Sequence, residues 1–121
     1  MQTQVFAIGL DPDYADYSKL KDISPELVRA YIQSQLEHVR SAGYQLTECL
    51  LRPGRADIDN LTRALQSQNF DCIVIGAGLR AEEHILLFEQ ALNLVHYLQP
   101  KARICFNTNP ADTLEAIQRW T

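Results

Sequence analysis

The run Phe70-Asp71-Cys72-Ile73-Val74-Ile75 places apolar residues on both faces of any strand it forms, and it breaks at once into Gly76-Ala77-Gly78. A strand wetted on one side alternates apolar with polar positions. One that is apolar on both sides needs cover twice over, which in practice means a parallel sheet with helices against each face. Glycines at the end of such a strand mark the edge where parallel sheets meet their ligands. The run therefore locates a site without naming its chemistry, since the chain holds no nucleophile–base pair, metal box or complete nucleotide fingerprint.

The rest of the sequence supplies the helices this strand requires. Residues 5–10 form a first strand, followed by a polar loop to about Ser24. Ser24-Pro25-Glu26 then starts a helix with a capping hydroxyl, an N1 proline and an early acid. That helix runs to about Ala42, carries Leu27, Val28, Tyr31, Ile32, Leu36 and Val39 on one sheet-facing arc, and ends at Gly43 in a left-handed turn. A second strand at 44–51 leads through Arg52-Pro53-Gly54 into a helix with Ile58, Leu61 and Leu65 at helical spacing and Asp57 as its cap. After the central strand at 70–75 come a third helix at 81–98, a fourth strand at 102–106, and a last helix opened by Asn109-Pro110.

Four repeats of strand then helix imply right-handed crossovers and a doubly wound, three-layer α/β/α sandwich, with a four-stranded parallel sheet in the order 2-1-3-4. In that order the chain winds away in opposite directions from strands one and three, leaving a crevice at their carboxyl ends. The loops after Leu10 and Ile75 should meet there. At 121 residues, 46% hydrophobic and 21% charged, the chain suits one globular domain over residues 1–121.

Eleven basic against fifteen acidic residues, with no basic stripe, argue against nucleic acid as a partner. No apolar run approaches the roughly 20 residues of a membrane helix and Met1 to Gln4 carries no export signal, so the expectation is a cytoplasmic protein without membrane contact. Three cysteines, Cys49, Cys72 and Cys105, each in a strand-like run, suit reduced buried thiols.

Gly76-Ala77-Gly78-Leu79-Arg80-Ala81 has the letters of a dinucleotide fingerprint in the wrong place. It lies in the third β-α unit, Asn107 ends the following strand where a ribose-binding acid belongs, and Glu82 and Glu83 oppose a pyrophosphate. No cofactor is expected. Arg80, just past the glycine turn, is suited to hold a carboxylate or phosphate in a fork of hydrogen bonds. With Gly76, Gly78, Asn107 and Thr108 it makes a candidate wall for a small anionic metabolite. Two catalytic candidates stand beside it: His84, in the first turn of the third helix, as general acid or base, and Asp11, at the end of the first strand, placed to orient Arg80 or accept a substrate hydroxyl. Asp13 and Asp16 have no spacing that enforces Mg²⁺, and no metal is expected. Glu89 and His96 fall on the polar stripe of the third helix.

The segments IGLDP, DCIVIGAGLR, LLFE with NLVH, and ICFNTNPADTLEAIQRW together resemble a family of small uncharacterised bacterial and fungal proteins with a flavodoxin-like fold. The resemblance covers nearly the whole chain. It implies the fold and a set of positions (Asp11, Gly76, Gly78, Arg80, Phe88, Glu89, His96, Asn107, Thr108 and Pro110) but no reaction, because the family has no established activity. Response-regulator receivers share the layout but need an aspartate where this chain has Gly76. Two functions follow as expectations: a small-anion site at the carboxyl edge of the sheet, with acid–base chemistry as an extension, or a non-catalytic module that forms homodimer or partner contacts through the apolar breadth of the third helix, including Leu86, Leu87, Leu94 and Tyr97.

Overall fold

The computed structural model describes residues 2–18 and 20–121. Four strands, β1 (Gln4–Leu10), β2 (Gln45–Leu51), β3 (Cys72–Ile75) and β4 (Arg103–Phe106), form one all-parallel sheet in the order β2-β1-β3-β4. The helices α1 (Pro25–Ser41), α2 (Arg55–Ser67), α3 (Ile85–Leu98) and α4 (Thr113–Gln118) cover it. This is the flavodoxin-like winding expected from the strand–helix alternation. All four residues of β3 are buried, as a central strand with helices on both sides must be.

Register sorts the side chains onto two faces. Phe6, Ile8, Ile73 and Ile75 pack with Leu61 and Leu65 of α2 and with Leu87, Ala91 and Val95 of α3. Val5, Cys72, Val74 and Cys105 pack with Val39 of α1 and with Ala116 and Ile117 of α4. Cys49, Cys72 and Cys105 are free thiols, Cys49 half-buried and the other two buried. The Sγ atoms of Cys72 and Cys105 lie 3.5 Å apart, and this contact together with burial pushes the Cys105 thiol well above its ordinary range. Among the described residues no helix is long and apolar enough to cross a membrane.

Helix α1 begins as its sequence dictates, with the Ser24 hydroxyl accepting the Leu27 amide at 3.2 Å and Pro25 at N1, and Gly43 follows it at φ 102°. Its buried stripe is narrower than the arc of apolar letters. Val28, Ile32, Leu36 and Val39 face inward, whereas Leu27 and Tyr31 lie at the margin and stay exposed.

The cap of α2 differs from expectation. The helix starts one turn earlier, behind Gly54 at φ 143°, and Asp57 lies inside its first turn. The Asp57 carboxylate turns back to the strand end, accepting the Arg52 amide at 2.6 Å and the Arg52 guanidinium at 3.1 Å. It secures the β2–α2 connection instead of capping α2.

Helix α3 starts later than expected, at Ile85, because residues Glu82–His84 form a separate 3₁₀ turn. Leu87, Ala91 and Val95 make its buried stripe, and Ile85 is half exposed at the mouth of the helix.

Candidate functional site

On the α1 side, the layer of the sheet nearest its carboxyl edge is built from residues with little or no side chain. Ala7 and Gly9 of β1 pair in register with Glu48 and Leu50 of β2, Ala7 also pairs with Val74, and Gly76 follows β3. Side chains alternate along a strand, so these positions share one face, and that face is nearly bare between Leu50 and Val74. Val28, Ile32 and Leu36, successive turns of α1, pass above it, and Pro110 and Thr113 close the far side. The result is a hollow of about 190 Å³ with a mostly apolar lining that includes Gly76, Ala77, Gly78 and Asn107. It is smaller than the roughly 300–1,000 Å³ of sites for drug-sized ligands.

Neither glycine of the Gly76-Ala77-Gly78 bend has a positive φ. A Cβ on Gly76 would lie 3.5 Å from the Ile8 carbonyl oxygen, and one on Gly78 3.6 Å from Leu10 Cβ, both ordinary contacts. Backbone conformation therefore does not demand glycine here. At Gly76 the effect of having no side chain is to leave the floor open.

Asn107 joins the wall as expected, and its own polar groups are engaged. Its Oδ1 accepts the Ala77 amide at 2.9 Å, and its Nδ2 donates to Thr113 Oγ1 at 3.0 Å. It is buried, and it ties the glycine bend to the start of α4. Thr108 is exposed and turns away, its amide and hydroxyl both donating to the Asp112 carboxylate within the capping box of the last helical segment.

Asp11 and Arg80 lie at the same edge of the sheet and diverge. The Asp11 amide donates to Leu51 O at the end of β2, and its carboxylate accepts Arg29 Nη2 at 2.8 Å and the Asp13 amide at 3.0 Å. Partial burial pushes the Asp11 carboxyl up, but the Asp13 amide and the Arg29 guanidinium outweigh it and hold the group below its usual range. Arg80 goes the other way. Its guanidinium donates to the carbonyls of Ile75 and Asn107 and lies 4.7 Å above the Phe106 ring, which meets Phe88 edge-on. Burial lowers the Arg80 pKa from its ordinary value, and among the described residues Arg80 forms no salt bridge. Its fork thus meets two main-chain carbonyls rather than the open space of the hollow.

His84 Nε2 lies 3.0 Å from the Tyr14 carbonyl oxygen, fastening the Pro12–Tyr14 turn to the β3–α3 loop. Glu89 and His96 are exposed on α3, on its polar stripe. Of the expected site residues, the fold brings Gly76, Gly78 and Asn107 to the hollow; Asp11, Arg80, His84 and Thr108 surround the same edge without bordering it, and Glu89 and His96 lie apart.

Two polar bordering residues escaped the sequence reading, Thr113 and Glu48. Thr113 resembles any residue of a first helical turn. Glu48 did carry a signal, a carboxylate amid the strand residues Leu46, Thr47, Cys49 and Leu50. Among the described residues it is the sole ionisable one bordering the hollow. No protein-family model and no curated protein matches the sequence.

Proposed function

We propose that this protein binds a small, largely apolar molecule in the hollow between α1 and the carboxyl edge of β1 and β3. The supporting observation is the bare floor of Ala7, Gly9 and Gly76 beneath Val28, Ile32 and Leu36, at the point where the winding of a parallel sheet reverses. The expected anionic ligand rested on Arg80, whose guanidinium meets main-chain carbonyls, so an apolar body is favoured over a phosphate or carboxylate. Neither His84 nor Asp11 borders the hollow, which favours binding over acid–base chemistry. A cytoplasmic setting and kinship with the small flavodoxin-like proteins named above belong to the same proposal.

An amide-resolved NMR titration with toluene tests this. The amides of Ala7, Gly9, Gly76 and Ala77 should shift together and saturate, and Gly76→Ala, which puts a methyl group on the floor, should weaken binding several-fold while the fold is kept. Saturable shifts elsewhere with none at these four amides would refute the proposal.

Leu86 and Tyr97 favour a second function, a contact surface on α3, being 71% and 81% exposed. Polar Gln90 and Asn93 lie between them on the same stripe, and Leu87 and Leu94 pack into the core, so the surface is discontinuous. Sedimentation at micromolar concentration should show a monomer; a stable dimer that Leu86→Ser dissociates would favour the contact surface.

A further inference from the structure

Of the three polar residues that border the hollow among the described residues, Asn107 and Thr113 bond each other, and Glu48 is incompletely satisfied. Glu48 sits mid-strand on β2, beside Ala7 in register, and Gln33 of α1 donates its side-chain amide to Glu48 Oε1 at 2.8 Å. Glu48 Oε2 is buried and has no hydrogen-bond partner among the described residues. No salt bridge reaches this carboxylate among those residues either. Buried polar atoms nearly always find a partner, and leaving one without a partner costs more than an average hydrogen bond contributes. An ionised Oε2 lacks a donor, and a protonated one would lack an acceptor.

Resting on the binding function proposed above, we propose that the ligand is a small primary amine, its ammonium group pairing with the Glu48 carboxylate once a small turn of that side chain uncovers Oε2, and its short apolar body lying on Ala7, Leu50 and Val74 beneath Val28 and Ile32. An ammonium supplies the missing donor and the countercharge together, where a hydroxyl supplies only the donor. An anion would meet Glu48 as a like charge in an apolar surround. The volume agrees with the body: about 190 Å³ is somewhat more than the 150 Å³ of an apolar cavity that accepts benzene. The chain's net charge of −4 also favours approach of a cation.

The experiment compares benzylamine, benzyl alcohol and toluene, three probes of similar shape, on the full chain by NMR titration at one pH near neutrality. Benzylamine should bind roughly ten-fold or more tightly than benzyl alcohol. In Glu48→Gln, where the amide still accepts from Gln33, that preference should collapse to about two-fold or less while toluene binds as before. If toluene saturates the hollow but benzylamine gains nothing over benzyl alcohol, the amine is wrong and the pocket stands. The same holds if the preference survives Glu48→Gln. If no probe shifts the amides of Ala7, Gly9 and Gly76, the binding function falls with it. Should Glu48→Gln fail to fold, the comparison of benzylamine with benzyl alcohol on the unaltered chain decides alone.

Discussion

Arg80 illustrates how a residue suited to ligands becomes a structural one. Its guanidinium holds the last carbonyl of β3 and the carbonyl just past β4, and stacks on Phe106. Arg80→Ala should lower stability by about 1–3 kcal/mol in urea denaturation, because two carbonyls lose a charged donor. Arg80→Lys should recover only part, since a single ammonium cannot reproduce a planar fork. The stability loss should be the same with or without inorganic phosphate. Asp57 belongs to the same scale. Hydrogen bonds from the Arg52 side chain and amide hold its carboxyl below the usual range. The unfolded chain, with the higher pKa, therefore takes up protons first as the pH falls. The contribution of Asp57 is complete above about pH 5 and is lost as the pH drops through its folded-state value. Urea midpoints measured from about pH 7 down to about pH 3 should fall less steeply in Asp57→Asn than in the unaltered chain. At this scale the sequence was a partial guide. Gly76, Gly78 and Asn107 follow from their place at strand ends, but a carboxylate or guanidinium chooses its partner through tertiary contacts that periodicity does not encode. Read as letters, Arg80 therefore points to a ligand and Glu48 to an ordinary strand position.

The helices were legible where local chemistry sets them and blurred where packing does. Ser24 with Pro25 and Asn109 with Pro110 fix their helix starts through bonds made within three residues. The start of α3 instead follows a 3₁₀ turn latched to Tyr14, seventy residues away, so its first residue could not be read from the apolar letters alone. Gln99 was invisible for the same reason. Buried at the end of α3, it accepts the Phe70 amide at 3.1 Å and donates to the carbonyls of Leu65 and Gln68 at 2.7 Å, joining the end of α2, the approach to β3 and the end of α3. Gln99→Leu keeps the bulk and removes all three bonds, and a loss of about 2–3 kcal/mol in urea denaturation is the expected outcome. An unchanged midpoint would mean that water replaces Gln99 without cost.

For the molecule as a whole, strand order and helix placement followed from the alternation of β and α segments, because handed crossovers leave few ways to bury a strand apolar on both faces. The hollow did not, because it arises where side chains are missing, and Ala7 and Gly9 attract no notice in a list of functional letters. Asp11 is fastened outward to β2 and Arg80 outward to β4, so the two flanking loops are each pinned to an outer strand. A cleft propped from both sides keeps its shape between visits. Guests should enter a vestibule already standing, with single-phase kinetics and scarcely any rearrangement of the main chain, much as a key meets a keyhole rather than a hand closing on a ball.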